Sequence, residues 1–212
     1  MKVLSVVALL ATSSMAWGSI IWDNGAPDTN QADARSITIF RSADNFVLSG
    51  TANISDIRFW MLSVDGDFAG TISYAFHQNA AGSLGSLVAS GSVSGIVPTF
   101  LKQVPAFIYS YYQVDFNLAV PLTLGPGTYW LELHDGATLT TANSGQVYWG
   151  ISSLTGGNAM QSSTPNLPAP GSTVNELGFQ LFDNAAAVPE PASWLMAATG
   201  LGLLAVARKR RR

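Results

Sequence analysis

The sequence predicts an all-β domain, a jelly-roll-like β-sandwich, with an apolar helix at each end of the chain. Three observations carry that prediction. Hydrophobic residues recur with a period of two in short runs. Gly-, Pro- and Asp-containing turn signals separate those runs. No stretch between the two chain ends shows the 3.6-residue period of a long amphipathic helix. An up-and-down barrel is the alternative arrangement of the same strands.

The strands follow in order. Ser36 to Arg41 and Asn45 to Leu48 are short candidates. In NISDIRFWMLS, Ile57, Phe59 and Met61 oppose Arg58, Trp60 and Leu62. In GTISYAFHQ, Ile72, Tyr74 and Phe76 alternate with Ser73, Ala75 and His77. Ser86 to Val93 is another short candidate. In YQVDFNLAV, Val114, Phe116, Leu118 and Val120 oppose Gln113, Asp115, Asn117 and Ala119. In TYWLELHD, Tyr129, Leu131 and Leu133 oppose Trp130, Glu132 and His134. Gln146 to Ile151 and then ELGFQLF, with Leu177, Phe179 and Leu181 on one side, complete about nine strands. Asp65-Gly66-Asp67, Gly125-Pro126-Gly127 and Asp135-Gly136 mark turns. Thr155 to Thr173 is rich in Gly, Ser, Asn and Pro and reads as a long loop. Trp149 reads as core.

Both ends of the chain differ from this middle. MKVLSVVALLATSSMAWGS begins with Lys2 and an apolar run, then small residues. That is the form of a secretory signal peptide, with cleavage expected before Trp17 or Ser19. At the other end, Ala192 to Ala207 is 16 residues without a charge. As a helix it would cover roughly 24 Å, short of the span a bilayer core asks for. Five basic residues, Arg208, Lys209, Arg210, Arg211 and Arg212, follow at once and would hold that end on the cytoplasmic side. Pro189-Glu190-Pro191 precedes the segment and keeps its approach extended. The chain therefore divides into a signal peptide (1–18), a sandwich domain (19–184) and a tail (185–212).

The whole chain carries 10 basic and 13 acidic residues, a net charge of −3. Between the two ends the only cationic side chains are Arg35, Arg41, Arg58 and Lys102, against all 13 acids, a net charge of −9 through Glu190. So acidic a domain repels nucleic-acid phosphates and excludes that class of partner. With no cysteine there is no disulfide, thiol catalysis or Cys-type zinc site.

The ordered triple of Pro189-Glu190-Pro191, short hydrophobic helix and Arg208–Arg212 resembles the PEP-CTERM sorting signal of exopolysaccharide-producing Gram-negative bacteria. That resemblance implies an exosortase, a membrane transpeptidase-like enzyme, that recognises the tail and cleaves near Pro-Glu-Pro. It implies a transient stay in the inner membrane and delivery to the envelope or outside, while the leader, read from its own residues, calls for the Sec translocon and signal peptidase. DNFVLSG, ISDIRFWMLS and VDFNLAVPLTLGPGTYWLEL, within 45–133, also resemble ectodomains of PEP-CTERM proteins. This second resemblance implies a passive, structural or adhesive role in a biofilm setting and supplies no catalytic residue.

Candidate chemistry in the domain is sparse. Glu132, His134 and Asp135 could support proton transfer or hold a metal. Outward positions of a sandwich are normally polar, however, so they read as a solvated face, and so does His77. There is no GxSxG and no HExxH. Nothing places Glu132 beside Glu176 for glycoside hydrolysis. The expectation is that the chain is not an enzyme and needs no cofactor. Asp23, Asn24, Asp28, Asp65 and Asp67 lie in oxygen-rich loops that could hold structural calcium, but Asx turns are the plainer account. Trp60, Trp130 and Tyr111 fall opposite the main apolar set. If exposed, they would form a platform for stacking sugars, making a carbohydrate-binding module for exopolysaccharide the alternative function. An extracellular glycan-active enzyme is a third, weaker reading.

Overall fold

The computed structural model describes residues 18–155, 157–163 and 175–183. The predicted leader, Pro189-Glu190-Pro191, the apolar segment 192–207 and Arg208–Arg212 lie outside the described residues, so neither terminal helix is described. Ser19–Asn184 is one compact unit.

Among the described residues, thirteen strands form two antiparallel sheets. The first has eight strands: β1 (Ile20–Asp23), β13 (Phe179–Asp183), β4 (Ala52–Val64), β10 (Val147–Thr155) and β12 (Asn175–Leu177), with β2 (Ala34–Ser36) on β10, β8 (Tyr109–Leu124) on β4, and β7 (Thr99–Gln103) on β8. The second runs in the order β11 (Met160–Ser163), β3 (Phe40–Leu48), β9 (Gly127–Asp135), β5 (Thr71–Ala80) and β6 (Ser83–Ser94). β4 organises the first sheet. β8 pairs along its length, while β13 and β10 take successive halves of its other edge.

The period-two faces behave as the side-chain alternation demands. Ile57, Phe59, Met61, Ile72, Tyr74, Phe76, Val114, Phe116, Leu131, Leu133 and Trp149 all enter one core between the sheets. A bulge between Ile54 and Asp56 resets the alternation, so Ile54 joins Ile57 inside despite odd spacing. Rings meet across the sandwich: Phe46 against Phe179 at 6.4 Å and Tyr74 against Phe116 at 6.0 Å. Burying each such ring contributes about 1.5–3 kcal/mol.

Several details depart from the sequence reading. The candidates 36–41 and 45–48 are instead β2, which ends at Ser36, and one continuous β3 from Phe40 to Leu48. Met160–Ser163, expected in a loop, is a strand paired with β3. β7 was not expected because all five of its residues are exposed, so no face needed an apolar pattern. Val120, placed with the core set, is exposed. The run ELGFQLF is two strands, not one. Gly178 divides it, donating to the Gly150 carbonyl at 2.8 Å and accepting from the Trp149 indole at 2.8 Å. A Cβ at Gly178 would lie 3.0 Å from the Gly25 carbonyl and 3.1 Å from the Trp60 ring, so the chain passes here only without a side chain. The turn at Asp65-Gly66-Asp67 forms as expected, with Gly66 at φ +88°.

Candidate functional site

The outward face of the second sheet carries an unusual polar group. On β9, Glu132 stands between Ala43 of β3 and Ala75 of β5; Trp130 stands between Asn45 and His77; His134 stands opposite Ser73. The two alanines leave space on either side of Glu132, and longer side chains reach into it diagonally. Arg41 binds the carboxylate through Nε to Oε1 and through Nη2 to Oε2, the latter at 2.9 Å. His77 Nε2 meets Oε2 at 2.9 Å. A bidentate guanidinium is the strongest partner a buried carboxylate finds in a protein.

None of the four ionisable side chains is solvated. Glu132 and His134 are 0% exposed, His77 3% and Arg41 6%. The expectation of a solvated face is therefore corrected. The alternation was right, but outward does not mean exposed here: Met160 of β11 and Leu84 of β6 close over Trp130. Neither ring nitrogen of His134 has a hydrogen-bond partner. Burial holds that imidazole below its usual range, against the pull of the Glu132 charge. Glu132 is engaged by two partners, and the group lies away from solvent. The arrangement is a buried ion pair that ties three strands together.

The proposed sugar platform is also corrected. Trp130 and Tyr111 are 0% exposed and Trp60 8%. They lie on different sheets, Trp130 on β9 and the others on β4 and β8. Trp130 Nε1 donates to Asn79 at 3.0 Å. Tyr111 donates to the Asp33 carbonyl at 3.0 Å and packs with Leu62 and Val104 beneath Ala32 and Ala34. The segment from Gly25 to Asp33 covers this face. It is fixed by a Pro27–Ser152 bridge and by bonds from Ser153 to Ala26 and Ile151 to Asp33.

The predicted calcium ligands are dispersed into local roles. Asp23 accepts from the Gly25 amide at 2.8 Å and from Gln180 at 2.9 Å. Asp28 closes an Asx turn on Asn30, 3.0 Å, and these bonds lower its pKa. Asp65 accepts from the Tyr112 hydroxyl, and Asp67 from the Gln146 amide at 2.8 Å. Among the described residues no three His, Cys, Asp or Glu side chains group to hold a metal.

Asn24 does something else. Buried, it donates to Asp44 Oδ2 at 3.0 Å, Glu176 Oε2 at 3.0 Å and the Leu177 carbonyl at 2.9 Å. Asp44 also accepts from the Leu177 and Asn45 amides. Burial, and then the Glu176 charge, raise the Asp44 pKa well above the carboxylate range. The sequence reading missed Asp44, although a signal was present: it shares the inward side of β3 with Phe46 and Leu48. An acid at such a position needs a dedicated partner set.

None of these groups names a substrate, and the decisive similarity lies elsewhere in the chain. Residues 187–212 match the PEP-CTERM protein-sorting motif. The chain carries that sorting signal. The motif implies processing by an exosortase, sorting out of the cell, and a C-terminal membrane anchor before processing. No curated protein matches the chain.

Proposed function

We propose that the chain is an exported envelope or matrix protein. Its sandwich domain is released from, or retained at, the cell surface once an exosortase cleaves near Pro189-Glu190-Pro191. The match over residues 187–212 carries this reading. Upstream, the Sec translocon and signal peptidase would remove residues 1–18. The domain's role is structural or adhesive in an exopolysaccharide setting, not enzymatic. The withdrawal of Glu132, His77 and His134 from solvent supports that role. The strand orders β2-β10-β4-β8 and β3-β9-β5-β6 support a jelly-roll-like path, because successive strands from β2 to β5 change sheet as two interlocked Greek keys require.

Intact mass and fractionation of the protein from its native host test the reading. A product lacking the leader and everything past about residue 190, found in envelope or matrix, is the expected result. Deleting Arg208–Arg212 should abolish processing. A full-length C-terminus kept in the inner membrane, or processing unchanged by that deletion, would overturn it.

A further inference from the structure

At one end of the sandwich the β4–β5 turn, the end of β9 and the β9–β10 loop enclose a cavity of about 380 Å³, lined by Asp67, Thr71, Asp135, Asn143 and Ser144 among others. Two carboxylates face it, and none of the residues lining it is basic. Of the domain's four cationic side chains, Arg41 is bound to Glu132, Arg58 to Asp115 and Lys102 to Asn30, while Arg35 on β2, opposite Trp149, does not line the cavity.

Asp135 is the telling member. It is 4% exposed, yet its Oδ1 has no hydrogen-bond partner. Its Oδ2 has only the Asn143 amide, at 3.3 Å. A withdrawn carboxylate oxygen with no donor is costly unless a charge of opposite sign supplies what the protein does not. Glu132 and Asp44, the other deeply buried acids described above, each have several donors, so Asp135 stands apart.

The loops are also built to come together here. Asn143 donates from its backbone to Thr38 at 2.9 Å and from its side chain to the Asp135 carbonyl. A Cβ at Gly145 would lie 3.0 Å from the Asp67 carbonyl, so the loop sits directly on the Asp67 turn. Gly136 donates to the Thr71 carbonyl at 2.9 Å.

We propose that this cavity binds a divalent cation, Ca2+, between the carboxylates of Asp135 and Asp67. Neutral oxygens of Asn143 and Ser144, with water, complete the shell. Calcium takes 6–8 oxygens in flexible geometry, roughly, and suits a site shared between two loops; magnesium demands a near-octahedral set. Two carboxylates on loops belong to the weak, extracellular class of site, with Kd of about 10⁻⁴–10⁻³ M. The inference does not depend on the sorting signal. It differs from the loop sites read in the sequence by joining Asp67 to an acid 68 positions away in the chain.

Equilibrium dialysis of the EDTA-treated full-length chain against radiolabelled Ca2+ tests it. Expected are one saturable site, a loss of affinity of about tenfold or more in Asp135→Asn and in Asp67→Asn, and no change in Asp28→Asn. Asp67 lies on a turn, so its variant decides the matter if Asp135→Asn does not fold. No saturable binding by the unaltered chain, or undiminished binding by Asp67→Asn, would overturn the proposal.

Discussion

Replacing Arg41 by Met tests whether the buried face of the second sheet holds the domain together. Arg41 supplies Glu132 with two charge-assisted hydrogen bonds, and the carboxylate is 0% exposed. Methionine fills much of the same volume but leaves Glu132 with His77 alone. Each hydrogen bond to a charged group is worth about 1.5–3 kcal/mol, and stranding one member of a buried pair costs about 3–5 kcal/mol. A domain has only about 5–15 kcal/mol in total. Arg41→Met should therefore lose about a third or more of the stability, read as a lower urea midpoint with an unchanged slope. The double variant Arg41→Met/Glu132→Gln removes the stranded charge and should recover most of that loss. A loss of less than about 1 kcal/mol, or a double variant that is simply the sum of its parts, would refute the reasoning.

Asp44 sets a pH dependence of definite sign. Its folded pKa is raised, so its contribution is fully present below the unfolded value near 3.8 and is lost as pH rises through the folded value. Unaltered protein should weaken as pH climbs from about 4 toward neutrality, and Asp44→Asn should flatten that slope in urea titrations at several pH values. A slope that the substitution leaves intact would exclude Asp44 as its source. Gly178→Ala forces a methyl to 3.0 Å from a backbone carbonyl. It should cost about 1–3 kcal/mol, measured as a fall in Tm; an unchanged Tm would mean that the Gly25 segment lies less closely than the structure places it.

The sandwich was legible because half-buried strands write their period into the chain. Core faces such as Ile57-Phe59-Met61, Ile72-Tyr74-Phe76 and Leu131-Leu133 were readable from alternation alone. Strands of four or five residues such as β1 and β7 hold too few alternations to show one. The site residues were harder for a different reason. Alternation separates the two faces of a strand but does not say whether a face meets water. Trp60, Tyr111, Trp130 and Glu132 were assigned to the right faces and the wrong environment; the covers of Trp130 (Leu84 and Met160) and of Tyr111 (Ala32 and Ala34) are distant in the chain. The sorting signal was readable in full, since its parts are contiguous and no folding is needed to assemble them.

A protein sent outside the cell without cysteine must keep its ends from fraying by other means. This chain joins them through the sheet. β1 pairs with β13, the Ser19 amide bonds Asp183 at 2.8 Å, and Asn24, itself bonded to Asp44, reaches Glu176 across 152 positions of sequence. The entropic cost of closing so long a loop grows only slowly with its length, and buried polar partners fix which strands meet. The consequence bears on processing. The expected leader cleavage, before Trp17 or Ser19, falls ahead of β1, and Pro189-Glu190-Pro191 falls beyond β13. Both cuts can then remove chain without breaking a strand pair. A cut after Asn24 would instead leave buried Asp44 and half-buried Glu176 without the amide that bridges them. Tolerance of trimming should thus end abruptly between Ser19 and Asn24, which thermal melts of N-terminally shortened chains would show as a sharp loss of Tm.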